Sequence, residues 1–323
     1  MAVVAGIDEA GYGPILGPLV VSAAAFEVPD DTGDTPLWER LSGAVCRGAS
    51  RRAGRIAVGD SKKLHCRKSA RPLEHLERGA LASVAALSGT CPATFSELLA
   101  CLAPAAREVL RRYPWYDGRG LDLPRAVTAT DLSLAANSLS SALRGANTRL
   151  LTLRCEPVLT AEFNRMVAAT DNKTVTLLSI TGRLLAHVWR AAPPGRLVIR
   201  VDRQGGRRRY LSFLQQVFSG CRLKVVREDA DESAYLVSSD RRWAEVSFTV
   251  SADSEHLQTA LASMVSKYVR ELFMSLLNGF WAERVPGVAA TAGYYVDGRR
   301  FYSAIGPALR ELGIDERMVY RVR

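Results

Sequence analysis

Two adjacent carboxylates close the first apolar run of this chain, and they constrain its fold more than any bulk property does. Ala2-Val3-Val4-Ala5-Gly6-Ile7 is a short β-rich run, and Asp8-Glu9 follows it directly. Acidic groups beside a core are costly unless a cation compensates them. Strand alternation would point the two apart, but at a strand end both can border one cation site. Gly11, Gly13, Pro14, Gly17 and Pro18 then mark a turn, and Leu19 to Phe26 reads as a second apolar strand.

The same arrangement recurs further along. Arg196 to Val201 reads as a strand that delivers Asp202 at its end. Ala244, Val246, Phe248 and Val250 alternate with Glu245, Ser247 and Thr249, which marks a strand with one wet face. Val175 to Trp189 has helical spacing and stops before Pro193-Pro194-Gly195. After Asp253, the residues Leu257, Leu261, Met264, Tyr268, Leu272 and Leu276 recur at helical spacing, which puts Asp253 near a helix N-terminus. Residues 72–155 are Ala/Leu-rich and read as helical, interrupted at Tyr113-Pro114-Trp115-Tyr116-Asp117-Gly118. Strands first, then strands mixed with helices, predict an α/β fold with a mixed sheet flanked by helices.

Composition narrows the function classes. A net charge of +10 on 323 residues favours a polyanionic partner, nucleic acid before an anionic membrane surface. The cysteines form no CxxC pair, and no histidines stand at zinc-ligand spacing, so they read as reduced thiols. The apolar run from Pro14 to Phe26 is too short to span a bilayer. No basic residue precedes that run, so it does not read as a signal peptide. The expectation is a soluble, cytoplasmic protein with no membrane partner.

Asp8, Glu9, Asp202 and Asp253 each have a plain structural reading: a strand end, a turn or a helix cap. Together they offer the hard oxygen ligands that Mg²⁺ takes alongside water and substrate phosphate. Two such ions ~3.5–4 Å apart can activate water and stabilise a leaving oxygen in phosphodiester hydrolysis.

The surrounding motifs decide between these readings. Gly6-Ile7-Asp8-Glu9-Ala10-Gly11-Tyr12-Gly13-Pro14, followed by Gly17-Pro18-Leu19-Val20-Val21, resembles the opening motif of the type 2 ribonucleases H. Asp60-Ser61-Lys62-Lys63-Leu64 is similar to that family's second motif, and Ala252-Asp253-Ser254 with the helix through Arg270 to its aspartate-then-helix motif. Asn172 to Leu185 resembles the helix before the third acidic strand, and Gly293-Tyr294 a late Gly-Tyr. The resemblance implies a ribonuclease H-like fold: a five-stranded mixed sheet flanked by helices, here with a helical insertion and a C-terminal helical extension. The division it implies is a catalytic core at 1–71 and 156–285, an insertion at 72–155, and a C-terminal segment at 286–323 bearing the Gly-Tyr motif.

The resemblance also implies an activity. It makes Asp8, Glu9, Asp202 and Asp253 the ligands of a two-metal Mg²⁺ or Mn²⁺ site. That site would hydrolyse RNA within an RNA/DNA hybrid or a ribonucleotide-containing duplex, leaving 5′-phosphate and 3′-hydroxyl ends, as in removal of RNA primers or misincorporated ribonucleotides. Gly11 and Gly13 match the turn whose backbone meets the ribose 2′-hydroxyl, and Tyr294 the tyrosine that stacks on the neighbouring sugar. Lys62 and Lys63, with Arg67 and Lys68, match phosphate contacts, and Lys267 the family's helix lysine. The sequence departs from the pattern at Tyr12, where these enzymes usually carry a basic residue, and at Arg203, which follows Asp202 in place of glycine. The spacing from Asp202 to Asp253 is also long.

Other residues have duller readings. Arg207, Arg208 and Arg209 read as solvent-facing or contact residues alike, and Trp115 and Tyr116 as core. Of the histidines, His256 alone lies near a candidate carboxylate. The alternative is a catalytically altered ribonuclease H-fold protein that binds duplexes without turnover; every metal carboxylate is present, which argues against it. An actin-like kinase would need a second such domain with further glycine loops, a P-loop enzyme its GxxxxGK[ST], and neither is present. A junction resolvase would share the carboxylates but not Asp60 to Leu64.

Overall fold

The first apolar run forms strand β1 (Ala2–Ala10), and the second, β2 (Leu19–Val28), pairs with it antiparallel so that Asp8 lies opposite Ser22. The structure, a computed structural model, describes residues 1–30, 35–48, 54–65 and 70–322. A short helix α1 (Leu37–Arg40) and a small parallel pair, β3 (Val45–Cys46) with β4 (Ile56–Ala57), lead to α2 (Ser61–Leu64). Four helices follow: α3 (Glu74–Ser88), α4 (Phe95–Leu102), α5 (Ala106–Leu110) and α6 (Ala129–Gly145).

The chain then returns to the sheet. Strand β5 (Arg149–Val158) pairs antiparallel with β2. Helices α7 (Thr160–Thr170) and α8 (Lys173–Ala191) carry the chain to β6 (Gly195–Asp202), which runs parallel to β1. After α9 (Leu211–Val217) come the hairpin β7 (Arg222–Glu228) and β8 (Glu232–Ser238), then β9 (Arg242–Thr249), parallel to β6. One turn, α10 (Ala252–Glu255), precedes the long α11 (Leu257–Arg284), and α12 (Tyr295–Glu311) lies near the end.

The sheet has seven strands in the order β5-β2-β1-β6-β9-β8-β7. The mixed, helix-flanked sheet expected from the sequence is present, and it is wider than the five strands expected. The β7–β8 hairpin adds two strands at one edge, and it occupies the long interval between Asp202 and Asp253. Arg203 anchors its tip, donating to the carbonyls of Asp229 and Ala230. On the other side, the helical stretch expected to run to residue 155 ends with α6, because 149–158 is a sheet strand.

Alternation along β1 builds a core on each face. Val3, Ala5 and Ile7 pack with Leu177, Ile180 and Leu184 of α8, while Val4 packs with the cluster that holds α11 and α3. The 72–148 segment belongs to that second core: Phe95, Trp115 and Leu139 are buried with Phe273 and Trp281 of α11. Glu77 is fully buried in α3 and ties the segment down. Its carboxylate accepts from the backbone N–H groups of Arg125, Ala126 and Val127 and from the Tyr268 hydroxyl of α11.

Helix α11 lies so close on β1 that a Cβ at Gly6 would collide with the backbone of Gln258 and Thr259. This contact needs glycine, and it brings the first turns of α11 down onto Asp8. The C-terminal segment closes the other side of the turn after β1. The Gly293 carbonyl accepts from Ile15 and Leu16, and Arg321 N–H donates to the Ile15 carbonyl.

Candidate active site

Register brings the first two acidic strand ends together. Ile7 of β1 pairs with Val201 of β6, so Asp8 and Asp202 are the next residues of two parallel neighbours. Asp202 also accepts a hydrogen bond from the Ala252 N–H at 2.9 Å, which ties α10, and with it Asp253, to the same end of the sheet. From α11, the Ser266 hydroxyl donates to the Asp8 carbonyl at 3.1 Å, and Ser263 hydrogen-bonds the Asp8 side chain. Ser263 is bonded in turn to Ser61 of α2 at 3.0 Å, which fixes the Asp60–Lys63 motif beside the carboxylates.

The electrostatics follow from this crowding. Burial, then the charges of Glu9 and Asp202, raises Asp8 well above the ordinary carboxylate range. Burial and Asp202 push Glu9 up to about 8. Burial is also the main cause for Asp202, pushed up to about 6, with Asp253 adding to it. Asp253 is raised by burial and then by Asp60. The cation that opposes these shifts at Glu9, Asp202 and Asp253 is Lys62. Raised carboxylates gathered at one point are what a missing positive charge produces.

The donor chemistry fits a hard divalent cation: the group consists of carboxylates, with no thiolate or imidazole in it among the described residues. Among the described residues, no three or more His, Cys, Asp or Glu side chains stand close enough together to hold an ion as they are placed. Asp60 was not a candidate from the sequence, and the structure adds it to the acidic group through Asp253. It caps α2 by accepting from the Lys62 N–H and lies 3.6 Å from the Lys63 ammonium.

The glycine turn lies beside this group. Gly11 has φ +91°, and a Cβ there would strike Arg270 and the Pro18 carbonyl, so the turn needs glycine. At Gly13 a Cβ would meet nothing within 4 Å, so internal packing makes no such demand. Tyr12 is turned toward α8: its hydroxyl is 3.2 Å from the Thr174 hydroxyl, and the Lys173 ammonium lies 5.0 Å from its ring centre. Tyr294 is half exposed and follows directly on Gly293, whose carbonyl binds the turn.

The remaining candidates divide between surface and interior. Lys62 and Lys63 are exposed on α2. Lys267 is largely buried, with its ammonium 2.6 Å from Glu271, so its charge already has a partner inside the protein. Arg67 and Lys68 lie outside the described residues. Trp115 and Tyr116 are buried in the core, as expected. His256 is pushed below the ordinary imidazole range by burial and by Arg200, and it lines a separate cleft with Trp38 and Arg196.

Two arginines beneath the glycine turn were not foreseen from the sequence. Arg270 and Arg321 are each 1% exposed. Arg270 donates to the carbonyls of Leu16 and Ala292, and Arg321 to that of Gly11 at 2.6 Å. Arginine is read from sequence as a surface residue by default, and no periodicity marks these two as buried.

No protein-family model matches the chain, and no curated protein matches it by sequence. Its structure is similar to solved ribonucleases of types HII and HIII. RNase HII from Archaeoglobus fulgidus, solved with PCNA, is 14% identical, with a TM-score of 0.41 over 99% of this chain and 94% of that one. Bst RNase HIII in complex with Mn²⁺ is 15% identical, with a TM-score of 0.42 over 99% of this chain and 66% of that one. Ribonuclease H2 from Pyrococcus horikoshii is 15% identical, with a TM-score of 0.39 over 98% and 92%. These superpositions are loose, so the chemistry of the site rests on the chain's own strand order and side-chain placement.

Proposed function

We propose that this chain is a ribonuclease H-like endonuclease that hydrolyses RNA paired with DNA, leaving 5′-phosphate and 3′-hydroxyl ends. The observation that carries the reading is the acidic group at the end of β1 and β6. Asp8, Glu9, Asp202 and Asp253 are each raised by burial and by other acidic charges in the group, with Lys62 the cation opposing those charges at three of them. Such a group destabilises the fold unless a cation binds it.

Asp8, Glu9, Asp202 and Asp253 would hold Mg²⁺ or Mn²⁺. Bound there, the metal would supply Lewis-acid polarisation of the scissile phosphate and a lowered pKa for attacking water. The chain's own groups do the rest. Ser263 and the Glu9 N–H orient the Asp8 carboxylate, and the Ala252 N–H orients that of Asp202. Lys62 and Lys63 face solvent beside the carboxylates and neutralise strand phosphates. Backbone groups of Gly11 and Gly13 meet the 2′-hydroxyl, the group that separates RNA from DNA. Tyr294 offers exposed ring surface for the adjacent sugar. Lys267 is paired with Glu271 and is not among the strand-phosphate contacts.

The test is cleavage of labelled RNA/DNA, single-ribonucleotide duplex, RNA/RNA and DNA/DNA with Mg²⁺ or Mn²⁺, by wild type and Asp8→Asn. Cutting confined to strands with ribose, and lost in the variant, is expected. Binding of hybrids without turnover under any of these metals would establish the catalytically altered alternative.

A further inference from the structure

Beside the glycine turn, a cleft of about 280 Å³ opens between Tyr12, Gly13, the start of α8 and the C-terminal segment. None of the residues lining it is acidic, and two are cationic, Lys173 and Arg321. Arg321 sets its chemistry. Its guanidinium lies 4.8 Å from the Phe163 ring centre, and Nη1 is spent on the Gly11 and Pro14 carbonyls. Nε and Nη2 are buried without a hydrogen-bond partner among the described residues. Burial, then the charge of Arg270, pulls Arg321 down to about 9. A buried cation with unused N–H donors, pressed against a second buried cation, is stabilised by an anion.

A second feature points into the same cleft. Helix α8 is 19 residues long, has no acidic residue in its first turn, and begins at Lys173. Asn172 caps its first turn by accepting from the Thr174 N–H, and the N-terminus adds partial positive charge next to the exposed Lys173 ammonium. Tyr12 lines the cleft, with its hydroxyl 3.2 Å from that of Thr174. The cleft has room for a phosphate group, and it lies against the exposed Gly13.

We propose that this cleft is a phosphate-binding site, occupied by a backbone phosphate of the nucleic-acid strand that lies over the glycine turn. The inference rests on the nuclease reading for the identity of the strand, though not for the chemistry of the cleft. It also gives Tyr12 a part: the turn carries no cation of its own, and Lys173 and Arg321 bring the charge to it from α8 and from the C-terminal segment.

The experiment uses the full chain, in wild type, Lys173→Glu and Arg321→Gln forms. Binding of a fluorescent RNA/DNA hybrid is measured across a salt series without divalent ions, and melting temperature is measured with and without inorganic phosphate. Lys173→Glu is expected to weaken hybrid binding about tenfold and to lower the slope of log affinity against log salt by about one. Phosphate should raise the melting temperature of the wild type and not that of Arg321→Gln. If Arg321→Gln does not fold, Lys173→Glu carries the phosphate comparison, with a reduced rise expected. Unchanged affinity and slope in Lys173→Glu, with equal phosphate effects in all folded forms, would overturn the site. Phosphate protection lost in the variants, in a wild type that binds no hybrid, would uphold the anion site and overturn the nuclease reading and the strand as occupant.

Discussion

On the proposed reading, Asp8 and Glu9 are the residues on which the chemistry and the stability both turn. Their folded-state pKa values lie above their ordinary ones, with burial the largest cause. A carboxylate raised in this way costs no stability at acid pH, where folded and unfolded states both hold the proton. Its cost appears as pH rises past the unfolded value, and is complete above the folded one. The metal-free protein should therefore lose melting temperature from about pH 4, the ordinary carboxylate range, up to about pH 8, with Asp202 contributing as far as about pH 6 and Glu9 as far as about pH 8. Mn²⁺ should restore more stability at pH 8 than at pH 6, and Asp8→Asn should melt higher than wild type without metal. Thermal melts at the two pH values check this; an Mn²⁺ increment that is equal at both would count against these carboxylates as ligands. Asp8→Asn should also lose at least about 100-fold in turnover, since it removes ligand charge rather than packing. At this scale the acidic residues were legible, because Asp8 with Glu9 and Asp202 end apolar runs and Asp253 precedes a stretch of helical spacing. Arg270 and Arg321 were not, because a buried arginine held by backbone carbonyls leaves no pattern in a linear sequence.

Elements place those residues, and β1 against α11 is the contact that matters most. Gly6 admits the helix backbone, and the helix then delivers Ser263 and Ser266 to Asp8. Gly6→Ala should cost about 1–3 kcal/mol of stability through overpacking. It should lower kcat at temperatures where the protein remains folded, because α11 must shift; denaturant melts beside single-turnover assays separate the two effects. Glu77→Ala should be severe in another way. It strands the N–H groups of Arg125, Ala126 and Val127 and should cost about 3 kcal/mol or more, read in the same melts. Strands β1, β2, β6 and β9 were legible through apolar runs or clean alternation. Strand β5 was hidden, since Leu150-Leu151-Thr152-Leu153 continues an Ala/Leu-rich stretch and becomes a strand by pairing with β2. Strand β7 was hidden because it is almost wholly exposed, with Arg222, Lys224, Arg227 and Glu228 among its residues.

At the scale of the whole molecule, the acidic group sits in a chain of net positive charge. The chain carries a net +10 at pH 7, and Lys62, Lys63, Lys173 and Arg321 surround the carboxylates and the glycine turn. On the proposed reading, long-range attraction and local repulsion would act together: a duplex would be drawn in, and its phosphate would be tolerated at the carboxylates only with cations. Among the described residues no helix is long and apolar enough to cross a membrane. Tyr12 bears on substrate choice at this level. With no cation on the turn itself, continuous hybrids should be cut with weaker preference for an isolated ribonucleotide than Tyr12→Arg would show. The most direct measurement of the central claim is kcat/KM on matched duplexes that differ in one 2′-hydroxyl at the cleaved position, at fixed salt and with Mn²⁺. Loss of cleavage by at least about 100-fold on removal of that hydroxyl, and by a similar factor in Asp8→Asn, is the predicted result. Equal rates on the ribose and deoxyribose duplexes, or full activity of Asp8→Asn in a preparation free of host nuclease, would contradict it.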